Sequence, residues 1–159
     1  MHQLRSIGKE SVSERELFVM SVPDVAALPE RMSLPSPHFV ALLALDASEV
    51  PDDAIQQLAK NLLSSGCAFF TAWGPDCERV HDLFDSVANS YEPVIMTTWE
   101  HDEPLDEAIW NFLYVTHPDE GYWDTCRSSV AITVGNADWS TQVERRLRDM
   151  DSLNRDVVT

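Results

Sequence analysis

Three segments of this chain repeat one apolar template, spaced i, i+3, i+4, i+7 and i+8. The first carries Ile55, Leu58, Ala59, Leu62 and Leu63, and the second Val80, Leu83, Phe84, Val87 and Ala88. The third carries Leu105, Ala108, Ile109, Phe112 and Leu113. That spacing lines five side chains along one face of a helix, so each segment must bury that face against something. Pro51, Pro75 and Pro104 stand at the starts, with acids beside them. Proline fits the first helical turn, and acids complement the positive end of the helix dipole. Gly66 ends the first helix as a left-handed cap.

A short apolar run precedes each helix: residues 38–45 (HFVALLAL), 67–72 (CAFFTA) and 93–98 (PVIMTT). These are short for helices and suit strands buried on both faces. A fourth run, residues 128–134 (SSVAITV), is followed by Thr141 and Glu144, which read as a capping box before a last helix carrying Val143, Leu147 and Met150. Strands alternating with single helices imply parallel pairing through right-handed crossovers. The expected fold class is α/β: a three-layer sandwich around a mostly parallel sheet of four or five strands, flavodoxin-like or minimal Rossmann-like. Residues 16–150 form the domain, with 16–22 (ELFVMSV) as a short edge strand or extended cover. Residues 1–15, polar and without period, read as a flexible arm, and 151–159 as a frayed tail.

Charge narrows the partners. The net charge is −16, and residues 32–126 carry 17 acids against two basic residues, Lys60 and Arg79. Such a body repels phosphate backbones and anionic lipid and attracts basic surfaces, so a protein partner is expected and neither nucleic acid nor membrane. No apolar run approaches the ~20 residues that cross a bilayer, and the first residues lack a signal-peptide core. Three cysteines, an odd number with no C-x-x-C pair, fit a reducing compartment, and the expected location is cytoplasmic.

In open parallel sheets, ligands bind beyond the carboxyl ends of the strands. That rule selects Asp46, Trp73, Gly74, Thr98, Trp99 and Glu100, with His101, Asp102 and Glu103 just beyond. Trp73 and Trp99 are expected to lie close together there, with Asp46 and Glu100 nearby. They then either line a cleft, where a ring stacks on a ligand or anchors a partner, or plug the core. Asp76, Asp102 and Glu103 stand where helix N-termini favour acids, so no metal site is expected and no cofactor is implied. Cys77 opens the second helix with His81 one turn on, the spacing of a thiolate and base or of half a zinc site. Asp76 and Glu78 oppose a thiolate, however, and Cys77 continues the apolar stripe. No G-x-S-x-G, G-x-G-x-x-G or G-x-x-x-x-G-K-[ST] occurs.

The segments AWGPDC (residues 72–77) and VIMTTWEHDEPLDEAIWNFL (residues 94–113) resemble the signature stretches of an uncharacterised bacterial family of small α/β domains of unknown function. The resemblance covers about a third of the chain and implies a bacterial origin and the fold, but no reaction. It marks Trp73, Gly74, Cys77, Thr98, Trp99, Asp102 and Glu103 as matching the family pattern. The pattern has His after TTW, where this chain has Glu100 and then His101.

The leading expectation is a non-enzymatic, accessory or immunity-type domain that binds another protein, a basic one by charge. The alternative is a small hydrolase or ligand-binding enzyme using the carboxyl-edge acids with Cys77 or His101. Trp110 and Tyr114, one turn apart off the third stripe, form an aromatic ridge that suits pairing of two copies or docking of a partner, unless residues 116–127 cover it.

Overall fold

A computed structural model describes residues 4–100 and 102–158. Two strands open the chain, β1 (Arg5–Lys9) and β2 (Glu16–Val22). Then come β3 (His38–Ala44), α1 (Asp52–Ser65), β4 (Cys67–Trp73), α2 (Cys77–Ala88), β5 (Met96–Glu100) and α3 (Leu105–Tyr114). The chain closes with β6 (Cys126–Val134), α4 (Ala137–Arg148) and α5 (Met150–Val158). The six strands form one sheet in the order β1-β2-β6-β3-β4-β5. All neighbours are parallel except β1 with β2. Helices α1 and α2 pack together on one face, and α3, α4 and α5 on the other. The fold is therefore a three-layer α/β sandwich, with six strands where four or five were expected.

The central strands are apolar on both sides because both faces are covered. Phe39, Val40, Ala41, Leu43 and Ala44 have no exposed surface, and the rings of Phe70 and Phe84 stack 3.9 Å apart between β4 and α2. The stripes on α1 and α3 are buried throughout, and Gly66 ends α1 at a φ of 112°. Among the described residues, no helix is long and apolar enough to cross a membrane.

Four expectations need correction. Residues 5–9 lie in the segment read as a flexible arm, yet they form β1, paired with β2 and tied to α4 by the Arg5–Glu144 ion pair. A polar outer strand with largely exposed side chains leaves no apolar period to read. β1 in turn makes β2 an interior strand, not an edge. The fourth helix starts at Ala137, where the Asn136 side chain accepts from the Trp139 N–H at 3.0 Å, so Thr141 lies inside it and caps nothing. Residues 150–158 form α5 where a frayed tail was expected. Leu153 is fully buried, and the Arg146 guanidinium reaches Asp106 on α3 at 2.8 Å and Asp156 on α5 at 2.7 Å.

Candidate functional site

The chain leaves β4 for α2 on one face and β5 for α3 on the other, and such a divergence opens a crevice at the carboxyl edge. Here it is a cleft of about 380 Å³ lined by Trp73, Gly74, Pro75, Asp76, Glu100, Asp102 and Glu103. Five of the expected rim residues thus meet: Trp73, Gly74, Glu100, Asp102 and Glu103.

The others do not. Asp46 is absent from the lining, and its Oδ1 accepts from the N–H and hydroxyl of Ser48, closing a local turn. Cys77 is buried behind the cleft, its thiol donating to the Glu100 carbonyl at 3.6 Å. Burial pushes that thiol above its ordinary pKa, which opposes thiolate formation. His81 is engaged with other residues, its ring 4.4 Å from that of Trp99, its Nδ1 2.9 Å from Asp82 and its Nε2 3.0 Å from the Thr97 hydroxyl. Thr98 is half-buried, and His101 lies outside the described residues.

Trp73 and Trp99 do not share a cleft. In the β4–β5 register Ala72 pairs with Trp99 and Trp73 with Glu100. Side chains alternate along a strand, so the two tryptophans project from opposite faces. Trp73 turns toward α4, where its ring meets that of Trp139 edge to face at 4.9 Å and its indole N–H donates to the Glu103 carbonyl at 2.7 Å. Trp99 turns toward α2 and stays 41% exposed.

Positive charge near the cleft is already engaged. Arg79 binds Asp76 at 2.7 Å and Asp52 at 2.6 Å, and also donates to the carbonyls of Ala47 and Val50. The Glu100 carboxylate accepts from the Asn111 amide through both oxygens at 3.2 Å. Burial raises the Glu100 carboxyl, Asn111 opposes the rise and Glu103 adds to it. A raised carboxyl holds its proton more tightly folded than unfolded. The stability it contributes is present in full below the unfolded value and is lost as pH rises through the folded one. Glu100→Gln should therefore raise the thermal midpoint at pH 7, and the gain should vanish below glutamate's ordinary 4.5. A midpoint lowered at pH 7 would refute this account of Glu100. Among the described residues, no group of three or more His, Cys, Asp and Glu side chains is arranged to hold a metal ion.

The aromatic ridge is also resolved. The rings of Trp110 and Tyr114 lie 5.2 Å apart, both half-buried. α5 packs on α3, and Asn154 donates to the Tyr114 hydroxyl at 3.4 Å. The cover over this ridge includes the terminal helix. In the 116–127 segment, Tyr122 instead packs on His38 and donates to the Pro93 carbonyl, and Trp123 is exposed.

Sequence reasoning missed β5 itself as a surface. It is an outer strand of the sheet, and Val94, Met96 and Trp99 on or beside it are 49%, 40% and 41% exposed. Thr97 braces it to α2 through His81 and Asp85. The signal was an apolar run, VIMTTW, set between Glu92 and the acids Glu100, Asp102 and Glu103.

The model of a family described as a domain of unknown function, DUF7684, matches residues 17–150. No curated protein matches the chain.

Proposed function

This chain belongs to the DUF7684 family, and we propose that it is a non-enzymatic interaction domain that adds an extended basic segment of another protein to the open edge of β5. The observation that carries the reading is that edge strand, apolar and exposed at Met96 and Trp99. An unpaired strand edge offers a row of backbone N–H and C=O groups, which an extended peptide satisfies by becoming the next strand. The other edge is blunted. β1, as short as β5, carries Arg5 and Lys9 and is bulged between Ser6 and Gly8. β5 has no basic residue, and Asp85, Glu92, Glu100, Asp102 and Glu103 surround it in sequence or space. Opposite charge on the incoming strand would steer its approach and select it over acidic competitors. The proposed setting is a bacterial cytoplasm, which suits three cysteines that are all free and buried. An enzyme at the carboxyl-edge cleft has less support, because the described residues lining it supply carboxylates with no hydroxyl, thiol or imidazole beside them.

Titration of the domain with an octapeptide of alternating lysine and valine tests the reading, against its glutamate–valine counterpart. The basic peptide should bind, more weakly as salt rises. Met96→Lys with Trp99→Lys should weaken it by about tenfold or more while the fold is retained, since both positions are exposed. Equal binding of the acidic peptide, or no effect of the double variant, would overturn the proposal.

A further inference from the structure

Which backbone groups β5 leaves open follows from the hydrogen bonds of its neighbour. In a strand, the N–H and C=O of one residue point to the same side, and successive residues alternate. The Trp73 carbonyl accepts from the Leu45 N–H at 3.0 Å, so Trp73 faces β3 and Ala72 faces β5. Ala72 pairs with Trp99. In a parallel ladder it then bonds Thr98 and Glu100, the residues on either side of Trp99. The Glu100 carbonyl agrees, since it lies on the β4 side, 3.6 Å from the Cys77 thiol. The N–H and C=O groups of Thr97 and Trp99 therefore point outward from the sheet edge.

The side chains of the same two residues share one face. Phe70, which stacks on Phe84 of α2, is the register partner of Thr97. Thr97 accordingly lies over α2, its hydroxyl donating to Asp85 at 3.1 Å, and the Trp99 ring lies 4.4 Å from that of His81. Asp85 is exposed and, among the described residues, has no basic partner. A strand added here places the side chains opposite Thr97 and Trp99 on that same face, whether it runs parallel or antiparallel. Those positions meet a carboxylate and an open indole ring. The positions between them fall on the other face, beside Met96. Lysine and arginine would both answer the charge, but only arginine also answers the ring. A guanidinium is flat, stacks on indole and forks onto a carboxylate, whereas an ammonium is a compact, strongly hydrated point charge.

We propose, on the premise of strand addition at β5, that the incoming strand carries arginine at the positions facing α2, one guanidinium stacked on Trp99 and the next held by Asp85, with apolar residues between them toward Met96.

Octapeptides of alternating arginine and valine, and of alternating lysine and valine, are the probes, read by calorimetry at one salt concentration. The arginine peptide should bind about 3- to 10-fold more tightly. Trp99→Leu keeps an apolar side chain on the strand and should bring the two affinities within about twofold, mainly by weakening the arginine peptide. Asp85→Asn, whose side chain still accepts from Thr97, should also reduce the preference. Glu103→Gln, in the carboxyl-edge cleft, should weaken both peptides in proportion and leave their ratio unchanged. Equal binding of the two peptides, with both lost in the Met96→Lys, Trp99→Lys variant, would overturn the arginine assignment and leave strand addition standing. A preference for arginine that survives Trp99→Leu would overturn the assignment as well. Binding of neither peptide would overturn both it and strand addition.

Discussion

Gly74→Ala should cost at least about 3 kcal/mol, the scale of strained backbone combined with overpacking. Gly74 sits at a φ of 120°, and a Cβ there would stand 2.3 Å from the carbonyl oxygen of Leu45. Neither neighbour can retreat easily. Leu45 donates its N–H to the Trp73 carbonyl at 3.0 Å, Ala47 donates to that of Pro75 at 3.0 Å, and Cys77 to that of Gly74 at 3.1 Å. For a chain of this size the loss corresponds to a midpoint roughly 6–12 °C lower. Thermal denaturation checks it, and an unchanged melt would mean that the β3 and β4 exits do not cross this closely. The glycine thus serves backbone approach at the cleft floor, which explains its place in the AWGPDC segment without a ligand.

Trp73→Ala and Trp99→Ala should separate just as clearly. Trp73 is held by Trp139 and by the Glu103 carbonyl, and its ring packs on the core, so its removal should cost about 3 kcal/mol, the low end for a large aromatic. Trp99 is 41% exposed with His81 as its ring neighbour, and its loss should cost about 1 kcal/mol. Chemical denaturation of both variants measures the difference. Equal losses would mean that Trp99 is core, and the β5 edge would then lose its anchor. Binding to the basic peptide should follow the opposite order, with Trp99→Ala the more damaging where both variants remain folded.

The contrast shows where sequence reasoning ends. The helices were legible because burying one face imposes a period, and Ile55 to Leu63 or Leu105 to Leu113 display it without help from the rest of the chain. The strand ends followed from alternation of strands and helices, so the carboxyl-edge rim was placed and five of its residues do meet. The face each tryptophan takes was not legible. Both follow their strands in the same T-x-W context, yet a one-residue offset in the β4–β5 register sends them to opposite sides. Register depends on packing between strands and leaves no local mark. β1 was missed because an exposed, charged strand looks like a loop. The burial of Arg15 is equally invisible locally, because its hydrogen-bond partners Ser129 and Thr116 lie 114 and 101 residues away.

The inequality of the two sheet edges also decides how copies of this chain can add to one another. A sheet with two open, compatible edges joins head to tail, each junction presenting the next, and grows without limit. A contact of β5 with β5 is self-complementary and closes about a twofold axis after one addition. The bulge at Gly8 and the charges of Arg5 and Lys9 interrupt the β1 side of any head-to-tail junction. If strands add to this domain as proposed, pairing with a second copy is therefore terminal, because a β5–β5 junction uses the open edge of both copies.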